Sequence, residues 1–182
     1  MDWSIQDLGA LGEFVSSAAV LVTLIYLAFQ IRQNSTIART VGQRELLKGY
    51  GDWVQLTTNQ PDLANILRRT LADWESATPE ERERASGWML SAALLAEQAQ
   101  YLWRENLIYE RSYTRAIGLA ASIASTPGGR EWWRGARLAL SDDVSDLIDD
   151  ELARRPANAL DWTDVFPHLK LEDTNPAEDS AS

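Results

Sequence analysis

"LIYLAFQIRQNSTIAR", residues Leu24 to Arg39, is apolar in its first half and polar in its second. What that change marks decides whether the chain begins with a membrane-crossing helix or with the core helix of a soluble bundle. Reading backwards from it, Phe14 to Ile31 carry no charge, and the polar interruptions are only Ser16, Ser17, Thr23 and Gln30. At about 1.5 Å per helical residue this run is about 27 Å long, close to the ~30 Å of bilayer hydrocarbon, and a start at Leu8 lengthens it to about 36 Å. The expectation is a transmembrane helix over 8–31. The alternative is a helix that is apolar all round because it fills the core of a soluble bundle.

The flanks of the run suggest its direction. "MDWSIQDLGALGE" holds no Lys or Arg and three acids, so it lacks the basic start of a secretory signal peptide and reads as a short extracytoplasmic N-terminus, residues 1–7, leading into the span. Arg32, Arg39, Arg44 and Lys48 all follow the span, which by the positive-inside rule directs the N-terminus out and the rest of the chain into the cytoplasm. Trp3 before the span and Tyr26 with Phe29 near its end suit the two interfaces.

Within the span, Gly12, Ser16, Ala19, Thr23, Tyr26 and Gln30 recur at alternating spacings of four and three, the period of a left-handed helix seam. Small and hydrogen-bonding residues let helices approach in lipid, where apolar area gives little drive for association. The stripe points to a homo-oligomer or to a partner span; the plainer reading is a simple anchor with incidental small residues.

Beyond the span the pattern stays helical, and the fold class expected is all-α: one N-terminal transmembrane helix followed by a small cytoplasmic helical bundle. Ile37, Val41, Leu47, Tyr50 and Val54 keep a helical period, so 32–58 reads as an extension of the anchor helix, weakened at Gly42, Gly49 and Gly51. The bundle is expected over 59–156. Asn59 reads as the cap of a short helix with Pro61 in its first turn and Leu63, Ile66, Leu67 and Leu71 on its apolar face. The clearest boundary is "TPEE", where Thr78 caps, Pro79 takes the first helical position and Glu81 completes a capping box. The helix that follows, 79–108, places Trp88, Ala92, Leu95, Ala99 and Leu102 on one face. A further helix over 109–124 carries Tyr113, Ile117, Ala120 and Ile123, and "STPGG" is expected to stop it. Two short helices come next, the second capped by Ser141 with Asp142 and Asp143 at its positive end. Residues 157–182 read as an acidic, mostly disordered tail.

Composition narrows function by exclusion. The 182 residues carry a formal charge of −10, the wrong sign for a nucleic-acid binder. Cysteine is absent and His168 is the only histidine, so the usual nucleophile and base constellations cannot be assembled. Glu97, Arg104 and Glu105 share one side of the long helix, but a bundle di-iron site needs Glu-x-x-His, and a solvated face is the simpler reading. No catalytic residue, cofactor or metal is expected. One basic feature remains: Arg130, Arg134 and Arg137 fall on one helical face beside Trp132 and Trp133, a pattern able to contact anionic headgroups. The alternative there is that both tryptophans are core and the arginines pair with downstream aspartates.

The run "TLIYLAFQIRQN" together with "TPGGREWW" resembles patches shared by a group of uncharacterised bacterial proteins that carry a single N-terminal span. The resemblance implies a bacterial membrane protein and no particular activity. The function expected is a membrane-anchored interaction or scaffold protein of the bacterial inner membrane, in contact with the lipid bilayer and not an enzyme. The alternatives are a homo-oligomeric pore or ligand-responsive membrane sensor, and a soluble bundle whose first helix is core.

Overall fold

The computed structural model describes residues 5–154, with side chains for Gly9 and from Gly12 onwards. Among these residues every regular element is helical and no strand occurs. The first proline is Pro61, so nothing before it removes a helix hydrogen bond, and α1 runs unbroken from Ile5 to Asn59. Gly42, Gly49 and Gly51 do not break it. The chain divides at Val41 into two compact units. The first holds residues up to Val41; the second starts at Gly42 and takes the last turns of α1 with it.

The bundle therefore begins at Gly42, whereas the sequence pattern placed its start at 59. The reason is visible in the burial of α1: Leu46, Trp53 and Thr57 are buried and Tyr50 is half-buried, one face at helical spacing. Leu47, read as part of that face, stands 59 % exposed, so the apolar face is rotated by about one residue from the expected one. Trp53 stacks on Trp88 with ring centroids 4.7 Å apart and donates its indole N–H to the Trp88 carbonyl oxygen at 3.0 Å. Gly42 and Gly49 serve this packing. A Cβ at Gly42 would lie 2.8 Å from the Leu107 carbonyl oxygen, and one at Gly49 would lie 2.6 Å from Leu95 Cδ2.

The remaining helices are α2 (Leu63–Ala72), α3 (Pro79–Arg104), α4 (Glu110–Ala124), α5 (Pro127–Ala136) and α6 (Asp142–Arg154), with a 3-10 turn at Arg137–Ala139 before the last. α3 is the central element, packed on α2, α4 and α6. Its start is the expected capping box: Thr78 Oγ1 accepts from the Glu81 N–H at 3.3 Å, and the Glu81 carboxylate accepts from the Thr78 N–H at 3.1 Å. It ends earlier than 108 because Asn106 takes a left-handed conformation, φ 57°. Asn106 N–H then reaches the Trp103 carbonyl and Leu107 N–H the Leu102 carbonyl, a Schellman closure of the helix end.

Two other boundaries differ from expectation. Asn59 closes α1 and Asp62 stands at the cap of α2, since Leu63 N–H already bonds back to the Gln60 carbonyl in a tight turn. "STPGG" stops α4 at Ala124, as expected, and in addition starts the next helix. Thr126 Oγ1 accepts from the Gly129 N–H at 3.0 Å and Pro127 is the first residue of α5. Its glycines allow α5 to touch α2: a Cβ at Gly128 would fall 1.8 Å from the Thr70 carbonyl oxygen. Glu97, on the side of α3 first read as solvated, accepts from the Ser141 N–H at 2.8 Å at the start of α6. Arg104 pairs with Asp143. The expected tail 157–182, Trp3 and His168 lie outside the described residues.

Candidate functional site

Three features bear on function, and the first is the N-terminal part of α1. From Gly12 to Val41 every side chain is exposed except Ala18, which is half-buried. An 18-residue window there has mean hydropathy 2.0 and none of it is buried, so one helix near the N-terminus is long and apolar enough to cross a membrane. Phe14, Leu24, Tyr26 and Leu27, which together go round the helix, are 45 % to 72 % exposed. Gly12, Ser16, Ala19, Thr23, Tyr26 and Gln30 are all exposed on one strip. Within it, the Thr23 hydroxyl donates to the Ala19 carbonyl at 2.8 Å, which satisfies the donor inside its own helix.

The second feature is α5. Trp132 and Trp133 are 7 % and 5 % exposed, and each indole N–H is used inside the bundle: Trp132 donates to Ser86 Oγ at 2.9 Å and Trp133 to Asp149 Oδ1 at 2.7 Å. Neither ring is free to enter a headgroup region, which corrects the aromatic half of that reading. The periodicity that aligned the arginines also turned the tryptophans inward, and large aromatics supply most burial per residue. Arg137 pairs with Asp149 at 2.7 Å and Asp146 at 3.6 Å, Arg134 with Glu131 at 2.6 Å, and Arg130 donates to the Ser125 carbonyl at 3.1 Å. The basic stripe is held by the protein's own acceptors.

The third feature was not legible in the sequence. A groove of about 410 Å³ runs between the C-terminal part of α1 and α4. Its walls are apolar, with Leu46, Leu47, Val54 and Leu119, and its polar groups are Gln43, Tyr50, Ser112 and Arg115. Gln43 and Ser112 hydrogen-bond to each other across the two helices at 3.0 Å. Burial pushes the Tyr50 phenol up to about 12, against the opposing pull of the Arg115 guanidinium, so the hydroxyl stays protonated. Tyr50 and Val54 were visible as part of an apolar period, but nothing in the spacing pairs Gln43 with a serine 69 positions away. Two other recesses, of about 300 Å³ beside Asp52 and Ser91 and about 430 Å³ beside Trp74 and Glu131, have no cation in their lining. Among the described residues no group of three or more acids or histidines converges on a metal position.

No known protein family, curated protein or solved structure matches this chain.

Proposed function

We propose that α1 anchors the protein in a bacterial inner membrane and that the helical unit beginning at Gly42 works in the cytoplasm as an interaction or scaffold domain. The observation that carries this is the exposure of an uncharged helical run of near-bilayer length. Apolar side chains such as Phe14 and Ile25, 72 % and 70 % exposed around a whole helix, cost free energy in water at about 25 cal/mol per Å² and none in hydrocarbon. The cations Arg32, Arg39, Arg44 and Lys48 all follow the run and support an outward N-terminus. Association with a second copy or a partner span through the Gly12 to Gln30 strip belongs to the same reading. A ligand-responsive sensor is the second reading, favoured by the groove between α1 and α4.

Membrane fractionation tests the anchor. The protein should remain in the pellet after alkaline carbonate washing, and alkaline phosphatase fused to its C-terminus should be inactive while a fluorescent protein at the same position is bright. Release by carbonate would overturn the span; an active phosphatase fusion would overturn the orientation alone.

A further inference from the structure

The groove between α1 and α4 has the composition of a small-molecule site, and its lining specifies the ligand's charge. Its volume of about 410 Å³ falls in the range of ~300–1,000 Å³ typical of such sites, where apolar walls surround a few polar groups. Arg115 is the one ionised residue of the lining, and no carboxylate of the described residues stands at ion-pair distance from it. Arg69, Arg82, Arg84, Arg104, Arg134, Arg137 and Arg154 each have an acidic partner; Arg44, Arg68, Arg111 and Arg130 show none among the described residues, but they do not line the groove.

We infer that this groove binds small amphipathic monocarboxylates, with the Arg115 guanidinium holding the carboxylate and Leu46, Leu47, Val54 and Leu119 receiving the apolar body. A single guanidinium matches one carboxylate through two parallel hydrogen bonds, and the absence of a second cation in the lining disfavours a doubly charged phosphate. Tyr50 adds a neutral phenol as a further donor, and the Gln43 and Ser112 pair closes one part of the groove with an amide and a hydroxyl. A cationic amphiphile meets Arg115 with like charge. A neutral one leaves the guanidinium without a counter-charge. Leu47, 59 % exposed at the rim, gives the alkyl end a path to solvent. All nine lining residues lie between Gln43 and Leu119, so the inference does not rest on the membrane reading.

The test is a titration of the full-length chain with carboxyl-labelled octanoate followed by carbon-13 NMR, with octanol and octyltrimethylammonium as comparison probes. The chain is held in phosphatidylcholine nanodiscs, or in buffer if carbonate washing releases it, and protein-free samples provide the blank. Octanoate should bind saturably, and Arg115→Gln should weaken it about 10- to 100-fold, the effect of losing a hydrogen bond to a charged group. Arg130→Gln, outside the groove, should leave binding unchanged, and thermal unfolding by circular dichroism should be the same for both variants. Octanol and octyltrimethylammonium should bind at least tenfold more weakly than octanoate. Equal octanoate binding by wild type and Arg115→Gln, or equal binding of octanol, would overturn the inference. So would an absence of saturable binding, including the case in which sizing shows a dimer that Leu47→Glu dissociates, since a second copy would then fill the groove.

Discussion

The two parts of α1 share one unbroken helix and have opposite surroundings. From Gly12 to Val41 the apolar side chains point outwards on all sides, whereas from Gly42 to Asn59 Leu46, Trp53 and Thr57 are buried on one face. Two of the three glycines in the second part show the same split, Gly51 lying on the open face. A Cβ would meet nothing within 4 Å at Gly9 or Gly12, but would collide with Leu107 or Leu95 at Gly42 and Gly49. Helical continuity is thus no guide to where a domain starts. A domain starts where side chains acquire partners from other helices, and here that happens midway along an element.

The largest expected effect comes from truncating an aromatic residue in each part. Trp53→Ala removes the stack on Trp88 and an indole hydrogen bond, and should lower bundle stability by about 3–5 kcal/mol, the usual cost for a buried large aromatic. Phe29→Ala, at a side chain 69 % exposed, should leave it unchanged. Urea unfolding followed by circular dichroism reads both, and a similar loss in the two variants would erase the distinction between the parts.

Alkaline pH sharpens the same contrast through Tyr50, whose phenol burial raises to about 12 from 10.0. Because the folded form resists losing this proton and the unfolded chain does not, the contribution is fully present below pH 10 and is lost between about pH 10 and 12. The loss should reach about 2–3 kcal/mol at one pKa unit per ~1.4 kcal/mol. Comparing unfolding of wild type and Tyr50→Phe across that window isolates it, because the phenylalanine variant lacks this part of the pH dependence. Identical curves would mean that the groove side of α1 is wetter than the structure has it.

Glycine replacement gives a smaller effect. Gly42→Ala should gain about 1 kcal/mol of helix propensity but cost about 1–3 kcal/mol of crowding against Leu107, so that the net change runs from neutral to destabilising by about 2 kcal/mol. Gly12→Ala, with open space around it, should not destabilise the bundle. A stabilising Gly42→Ala would show that the approach of α1 to Leu107 is looser than described.

The smallest effect belongs to the exposed Gly12 to Gln30 strip of α1. Ser16→Leu with Ala19→Leu should weaken association of copies in vesicles, whereas Leu21→Ala with Ile25→Ala should matter little. Individual polar contacts in lipid contribute only about 0.6 kcal/mol, and Thr23 already donates within its helix, so crowding by the leucines supplies most of the change. Förster transfer between labelled copies reads it, and equal transfer in all three proteins would reduce the strip to an accident of composition.

What could be read in the sequence was local. The Thr78 capping box, the inward faces of α2, α3 and α4, and the apolar run of α1 depend on residues within a few turns of one another, and spacing reveals them. What could not be read depended on partners distant along the chain. Gly42 and Gly128 look like helix weakeners until Leu107 and Thr70 are found against them. Spacing leaves Trp132 and Trp133 readable as either core or interfacial until Ser86 and Asp149 are found accepting their N–H groups. The groove needed Gln43 and Tyr50 on one helix and Ser112 and Arg115 on another, and no local period records that meeting.

Spin-label accessibility along α1 tests the division of this helix most directly. Single labels from Phe14 to Asn59, one at a time in phosphatidylcholine vesicles, are exposed to oxygen, which concentrates in hydrocarbon, and to a water-soluble nickel chelate. In a monomeric preparation every label from 14 to 31 should be open to oxygen and closed to nickel, with no dependence on helix face. From 42 to 59 nickel access should oscillate with the helical period, with minima at Leu46, Tyr50, Trp53 and Thr57. Nickel access around the whole of 14–31, or a helical oscillation there that excludes both reagents from one face in a monomeric preparation, would contradict the account.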